Sequence, residues 1–356
     1  MTLAFLIVLA LILAGGGPVA QPVLLNFIFY VIFTPLIATA IIFAGSLFVN
    51  FAQSANMIMR GEGILKKAML ITGTGAVLNI ILDPIMITAM SAQGKGIEGA
   101  AYATVVSQIV TAAITLWYFL TKSKVVRIHR VRLESSLISE ILGVGFSAML
   151  MQVMTMVQQT TLYHVAARHG GDTWQIILGA ALSIQSFTMI PLWGAGQGFQ
   201  PAAGTNYGAK QYDRVKQVTG AFMVGVTVLS LIFYIPIQLA PKTILSWFIK
   251  DAGIVSQGVA DFRILFSTYI LLGFVLMVIT LMQSLGKASK ASVLVMMRQI
   301  ILFVPLAILL PQIGGLGAHG VFLAPAVTDL IILILAIVLL AGEFRNISKL
   351  ATQEQR

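Results

Sequence analysis

One carboxylate in the middle of a long apolar run is the first candidate for chemistry. Asp83 lies within the apolar residues 68–90. An ionised, unpaired carboxylate at membrane depth costs roughly 2.5–3.5 kcal/mol on insertion scales, so such a residue usually has a function. Asn79 precedes it by four residues, which puts its amide on the same helical face. The pair predicts a proton or cation site. The alternative is a brace for the helix break that Pro84 causes.

Arg298 and Asp329 are two further ionisable residues within apolar runs near the end of the chain. Ionisable groups at membrane depth pair with one another or face a polar cavity. The two residues therefore predict either a structural salt bridge or a charged patch that lines a substrate cavity.

Amide and thioether side chains in residues 137–200 are the second kind of candidate. Glutamine in a spanning helix normally faces protein or water, and methionine adapts to varied apolar shapes. Together they favour the wall of a promiscuous cavity, with packing or lipid contact as the alternative for each methionine. The predicted wall contains Gln152, Gln159, Gln185, Gln200 and Met151.

The composition requires a membrane to hold these residues. Of the 356 residues, 58% are hydrophobic and only 10% are charged, and the mean hydropathy is +0.95. Soluble domains have roughly a quarter charged residues. A soluble enzyme and a disordered protein are therefore excluded, and the sequence predicts an all-α, polytopic membrane protein.

This sequence lacks the residues that several kinds of chemistry require. It has no cysteine and no P-loop, and its four histidines lie near predicted loops without metal-ligand spacing. The net charge of +10 comes from loops between apolar runs, which is typical of membrane topology and not of a DNA-binding face. We therefore expect no enzymatic activity, cofactor, metal, ATP or nucleic acid. The expected partners are the lipid bilayer and small organic molecules.

Ten apolar segments follow one another along the chain and predict ten spanning helices. A bilayer core requires about 20 apolar residues per helix. The segments are 2–16, 24–52, 68–90, 100–121, 137–165, 174–200, 216–239, 259–284, 289–311 and 319–342.

The 22 Lys and Arg residues are divided unevenly between the two sides of the predicted membrane. Sixteen lie on the side of residues 122–136, four on the opposite side, and two, Arg263 and Arg298, within the spans. Cytoplasmic loops carry the excess of positive charge. Both termini are therefore predicted to be cytoplasmic, in a multi-pass protein of the plasma membrane, here the bacterial inner membrane.

The stretch before residue 122 is similar to the end of the chain, which predicts an internal repeat. Segments 1–4 correspond to segments 7–10, and repeated halves are common in secondary transporters. Segments 5 and 6 have no counterpart, so we expect an N-terminally truncated form of a twelve-helix protein; a native ten-helix protein is the alternative. The paired positions are Gly96 with Gly317, Gly99 with Gly320 and Gly63 with Gly286.

The repeat predicts two lobes. Residues 1–121 form an incomplete first lobe of four helices, and 122–136 a basic cytoplasmic linker. Residues 137–345 form a second lobe of six helices, and 346–356 a cytoplasmic tail.

Four motifs resemble those of multidrug and toxic compound extrusion (MATE) transporters. The last of them matches the family's QP-x-x-G-x-NYGA signature. They are MRGEG at 59–63, NIILDP at 79–84, GIEGAAYAT at 96–104 and GFQPAAGTNYGAK at 198–210. The resemblance implies a cation-coupled antiporter for multidrug efflux, in which two six-helix lobes rock around a central cavity. Such a protein exports amphipathic, often cationic compounds in exchange for H⁺ or Na⁺.

The resemblance also implies site residues. Asn79, Asp83 and Thr104 lie where the family places the partners of an aspartate on its first helix, which this sequence lacks. Asn206 and Tyr207 of the signature join the predicted substrate cavity, with Arg298 and Asp329.

Two further expectations depend on residues that are missing. Sodium-coupled members carry acidic residues on the seventh and tenth helices, whereas residues 142–165 and 267–285 have none, which argues against a second ion site. A flippase for lipid-linked oligosaccharides shares the two-lobe plan but needs several cavity cations for pyrophosphate. Only Arg263 and Arg298 lie within spans, which disfavours a flippase. The flippase stays the alternative function, together with a fragment that does not transport.

Overall fold

The computed structural model of the chain describes residues 34–123 and 135–354. These residues are nearly all helical and include no strand, which confirms the all-α prediction for this part of the chain. Residue contacts divide the chain into two compact units, Met1–Val131 and Arg132–Arg356.

The first unit contributes three long helices from its described residues: α1 (Thr34–Gly61), α2 (Leu65–Ser91) and α3 (Gly96–Thr121). Each is longer than the roughly 20 residues that a bilayer core requires. Helix α3 contacts both others. A Cβ at Gly75 would lie 2.0 Å from the Thr111 hydroxyl oxygen, so this glycine allows α2 and α3 to approach closely.

The second unit is larger and begins with one very long helix, α4 (Ser135–Gly208). This helix is broken at Gly171, whose φ of 66° and ψ of −159° suit only glycine. A π-helical segment, Met297–Ile301, and a 3₁₀ segment, Leu310–Gln312, flank α10. The other helices are α5 (Tyr212–Leu239), α6 (Pro241–Ser246), α7 (Ala252–Phe266), α8 (Tyr269–Ser284), α9 (Ala288–Met296), α10 (Phe303–Leu309) and α11 (Ala318–Glu354).

Eight helical stretches in the described residues are long and apolar enough to cross a membrane. The predicted segments 137–165 and 174–200 are the two arms of α4, on either side of Gly171. The predicted segment 2–16 lies outside the described residues. Helix α11 continues to Glu354, so the residues predicted as a tail from 346 are helical as far as that point.

The described cores of the two units differ in size. In the first unit, five buried side chains form one small cluster: Ala55, Met59, Ala68, Tyr118 and Phe119. In the second, one large cluster extends through the helices around fully buried rings such as Phe199, Phe262 and Phe322. Large apolar side chains elsewhere are exposed, for example Leu47 and Leu239 at 77% each, as a lipid-facing surface requires.

The turns at the paired glycines have the same local geometry in both units. Gly63 has a φ of 76° and Gly286 a φ of 72°. After each glycine, the next amide donates to a carbonyl five residues earlier, at 3.0 Å in the first unit and 2.8 Å in the second. A Cβ at Gly99 or at Gly320 would lie 2.5 Å from the backbone of the preceding helical segment. These matches support the predicted repeat.

Candidate functional site

In the first unit, the predicted pair on α2 is in hydrogen-bond contact. The side-chain amide of Asn79 donates to Asp83 Oδ1 at 3.2 Å, and both side chains are half-buried. The one-turn spacing on a regular helix is sufficient to produce this contact. Thr104, on α3, donates instead to the carbonyl of Ala100, at 3.0 Å.

A polar cavity of about 240 Å³ lies between the helices of the first unit. Asn79 and Thr104 line it, whereas Asp83 is not in its lining. The structure therefore brings two of the three predicted residues to one cavity and leaves the third beside it. The other polar lining residues are Gln53, Asn56, Thr72, Ser107, Gln108, Thr111 and Thr115.

A side-chain amide that was not predicted from the sequence joins α1 to α2 at this cavity. The side-chain amide of Asn56 donates to the carbonyl of Ala68 at 2.9 Å and to Thr72 Oγ1 at 2.8 Å. Its Oδ1 accepts from Arg60 Nε at 2.7 Å. Asn56 is 5% exposed, so its full set of bonds compensates for its burial.

In the second unit, a cavity of about 400 Å³ contains most of the predicted wall, and we call it the inner cavity. Gln152, Gln159, Gln185 and Arg298 all line it, together with Met189 and Trp193. Amides and a guanidinium thus alternate with apolar surface, which is how sites for small organic molecules are built.

Arg298 forms the predicted ion pair and also faces the inner cavity. Its Nε donates to Asp329 Oδ1 at 2.8 Å, and Thr268 donates to Asp329 Oδ2 at 3.2 Å. The Asp329 side chain is 5% exposed and that of Arg298 is 24% exposed. Asp329 therefore lies behind Arg298 and holds its guanidinium at the cavity wall.

The π-helical segment sets the direction of Arg298 and of its neighbour Gln299. Such segments insert an extra residue into a turn and are frequent at functional sites. The side-chain amide of Gln299 donates to Thr155 Oγ1 on α4 at 3.0 Å, and both residues line the inner cavity.

Besides Asp329, which lies behind Arg298, three described residues of the predicted substrate cavity are outside the inner cavity's lining: Gln200, Asn206 and Tyr207. Asn206 donates to the carbonyl of Ala202 at 2.7 Å, and the ring of Tyr207 packs edge-on against Tyr212. At 1.5 Å per residue, Asn206 is roughly 20 Å along α4 from Trp193, and Gln200 is about half that distance away. The side chain of Met151 lies outside the described residues.

Two more cavities follow the first arm of α4. The outer cavity, of about 800 Å³, lies between this arm and the segment that ends at Gln312. The middle cavity, of about 480 Å³, adjoins it. The outer cavity is lined by Val153, Met156, Val157, Thr160, Thr161, His164, Val165, Arg168, His169, Ile308 and Gln312. The middle cavity is lined by Met156, Gln159, Thr160, Tyr163, His164, Ala167 and Gln175.

A fully buried carboxylate in the second unit was not predicted from the sequence. Asp261, on α7, contacts His319 Nδ1 at 2.7 Å, and the His319 side chain is 55% exposed. The span that includes α7 and α8 begins at Ala252, so it contains this acidic residue although residues 267–285 have none. Because Asp261 lies in the apolar segment 259–284, the rule that selected Asp83 also selects Asp261.

A second missed carboxylate, Glu343 on α11, is 1% exposed. It forms ion pairs with Lys287 and with Lys290, the latter at 3.4 Å. Both lysines are near the start of α9, so the carboxylate links α11 to that turn. No group of three or more His, Cys, Asp or Glu side chains that could hold a metal occurs in the described ranges.

The comparison with protein families matches residues 144–309, most of the second unit, to the MatE family. Among curated proteins, an FAD transporter of Shewanella oneidensis is 24% identical over 282 residues, 78% of this chain and 61% of the relative. Multidrug export protein MepA of Staphylococcus aureus is 23% identical over 67% of this chain and 52% of the relative. The chain thus spans about half to three-fifths of these relatives' lengths.

Solved structures share the fold. A MATE transporter in complex with MaL6 has a TM-score of 0.81 and 24% identity, over 88% of this chain and 70% of that one. An outward-facing multidrug resistance MATE family transporter has a TM-score of 0.81 and 22% identity, over 92% and 77%. At such identities, the likeness concerns the fold and leaves the substrate open.

Proposed function

We propose that the chain is a transporter of the MATE family, which its second unit matches, and that it exports amphipathic organic compounds by secondary active antiport with H⁺ or Na⁺. The membrane is the bacterial plasma membrane, with both chain termini on the cytoplasmic side. The observation that carries the proposal is the inner cavity, which is lined by five glutamine amides and Arg298 together with Met189 and Trp193. A mixed lining of this kind holds ligands that are partly apolar and partly polar.

The relatives support an organic substrate with rings. One is named as a transporter of FAD and others as multidrug export proteins. A cavity that accepts varied ring systems needs adaptable walls, which methionine and glutamine side chains supply.

Coupling to an ion gradient requires a carboxylate that binds a cation in one state and releases it in another. Asp83 is such a group in the first unit, because it is a half-buried carboxylate within a span and accepts a hydrogen bond from Asn79. Asp261 is a second candidate, because it is fully buried and its partner His319 can carry a proton. Movement of a proton or cation between solvent and either carboxylate changes the local charge, which biases the conformation.

The test uses the 356-residue chain in proteoliposomes with an imposed proton or sodium gradient and, in separate runs, ethidium or riboflavin 5′-phosphate as the transported dye. We expect gradient-dependent transport that protein-free liposomes lack. Asp83→Asn and Asp261→Asn, made separately and together, identify which carboxylate couples the gradient. Asp213→Asn, an exposed carboxylate in the first turn of α5, is the matched control.

The outcomes separate the two parts of the proposal. Loss of the gradient-dependent rate in one variant, with normal protein level and an active control, assigns coupling to that carboxylate. A full rate in the double variant overturns coupling at both carboxylates. Equal rates with and without a gradient overturn antiport itself.

A further inference from the structure

The three cavities of the second unit form one path along the first arm of α4. The inner and middle cavities share Gln159, and the middle and outer cavities share Met156, Thr160 and His164. Positions 156, 160, 164 and 168 are four residues apart, so they form one stripe on the helix surface. The path therefore runs from Arg298 at one end to Arg168 at the other.

The lining of this path carries basic side chains, and no carboxylate belongs to it in the described residues. The basic residues are Arg298 in the inner cavity and His164, Arg168 and His169 in the outer one. The nearest acids lie elsewhere: Asp329 is behind Arg298, and Asp172 is exposed beyond the lining.

Both arginines have donors available for a ligand. Arg298 uses its Nε for Asp329, and its two terminal nitrogens have no hydrogen-bond partner in the described part of the chain. Arg168 is exposed and forms no ion pair with a described carboxylate. A guanidinium presents a planar fork of donors that matches a phosphate or a carboxylate.

The walls of the outer cavity suit the rest of such a ligand. Val153, Met156, Val157 and Ile308 provide apolar surface, and Thr160 and Thr161 provide hydroxyls beside His164. A ring system can rest on the apolar wall while its anionic group contacts the basic residues. A cationic compound at the same place meets the like charge of Arg168, which is unfavourable.

We propose that the path along α4, from Arg298 to Arg168, binds organic anions that carry a phosphate or carboxylate on an apolar ring system. The inference rests on the proposed function, since it names the substrate class of that transporter. It differs from the cationic compounds that the family resemblance implies. The same anionic chemistry occurs in a transported solute and in an anionic lipid headgroup.

The experiment compares three fluorescent probes on the purified 356-residue chain in micelles that contain only neutral phosphatidylcholine. Riboflavin 5′-phosphate and riboflavin have the same rings and differ by one phosphate, and ethidium is a planar cation. We expect riboflavin 5′-phosphate to bind roughly tenfold or more tightly than riboflavin, as a charge-assisted contact provides. Ethidium is expected to bind most weakly.

Variants assign the difference to the path. Arg168→Gln and His164→Gln are expected to weaken the binding of riboflavin 5′-phosphate several-fold and to leave the binding of riboflavin unchanged. Arg214→Gln is the matched control, because Arg214 is exposed near the start of α5 and donates to Gln211. Equal binding of the two flavins, tighter binding of ethidium, or the same loss in Arg214→Gln overturns the proposal.

Two further arms identify the source of the anion and keep the proposals separate. In the first arm, phosphatidylglycerol is added to the bound phosphate probe, and mass spectrometry measures the lipid retained on the protein. Displacement of the probe, with lipid retained on the wild type but not on Arg168→Gln, indicates a lipid headgroup. Failure of phosphatidylglycerol to displace the probe indicates a soluble solute.

Gradient-driven ethidium transport without any preference for the phosphate probe upholds the proposed function and overturns this inference. Tighter binding of the phosphate probe, without gradient-driven transport of ethidium or of riboflavin 5′-phosphate, upholds the anion-binding path and overturns the proposed function.

Discussion

The two units hold their polar groups at membrane depth by different means. In the first, neutral groups take part: Asn79 donates to Asp83, and Asn56 donates to Thr72. In the second, Arg298 pairs with Asp329 and His319 contacts Asp261, and both carboxylates are nearly or fully buried. An amide that loses its partner can turn to water or another acceptor, whereas a buried carboxylate depends on its cation. Stability of the second unit should therefore be far more sensitive to single polar substitutions.

The largest expected effect is at the ion pair of the inner cavity. Arg298→Ala leaves Asp329 buried without a cation, and we expect the free energy of unfolding to fall by about 3–5 kcal/mol. Unfolding in detergent, followed by tryptophan fluorescence, measures the change. Arg263→Ala, an exposed arginine on α7, is the control.

A double substitution of this pair sharpens the test. Arg298→Met with Asp329→Leu removes both charges, and we expect it to recover most of the lost stability. A double variant as unstable as Arg298→Ala would show that packing, and not the unpaired charge, explains the loss.

The paired glycines test whether the two units resemble each other in backbone packing despite this difference. Gly99→Ala and Gly320→Ala each place a Cβ 2.5 Å from a backbone atom, and each should lower stability by about 1–3 kcal/mol. Gly73→Ala and Gly220→Ala, where a Cβ meets open space, are the controls, one per unit. The same unfolding assay applies, and similar losses at both sites support the repeat.

Unequal glycine effects would count against the repeat. If only one of the two paired glycines tolerates alanine as well as its control does, the close approach is peculiar to one unit.

A smaller effect is expected at Glu343. Glu343→Gln removes the charge that Lys287 and Lys290 share. Because both lysines are partly exposed, at 30% and 46%, water replaces much of the interaction, and we expect a loss of about 1–2 kcal/mol. Thermal unfolding at low and high salt is the measurement. Lys349→Gln, an exposed change on α11, should have no effect, and an equal loss there would refute the role of burial.

The smallest effect on stability is expected in the first unit. Asn79→Ala removes one hydrogen bond on a half-buried helical face, which costs about 0.2–0.5 kcal/mol. Transport is a more sensitive readout, since the variant changes the surroundings of Asp83. A loss of more than 2 kcal/mol, with transport unchanged, would favour the brace over the ion site.

Local features were predictable because neighbouring residues produce them. Sequence spacing predicted the Asn79–Asp83 contact, since residues four apart on a helix face the same way. It also predicted that Gln152, Gln159 and Gln185 belong to one wall, because amides avoid lipid. The wall did not extend to Gln200 or Asn206, since distance along α4 separates them from the cavity. Asp261 was not predicted, because it lies before residues 267–285, where the family resemblance places the acidic residues of that helix.

The sequence by itself determined that this is an all-α membrane protein, where most of its spans lie, and which glycines form turns. These properties depend on composition, apolar run length and the backbone freedom of single residues. Only the tertiary structure decided which charges meet. Arg298 pairs with a residue 31 positions away, Asp261 with one 58 away, and Gln299 with one 144 away. Such contacts depend on how each helix is rotated and where it is broken, as at Gly171 and in the π-helical segment. Packing between helices sets that rotation, and many rotations agree with the same apolar run.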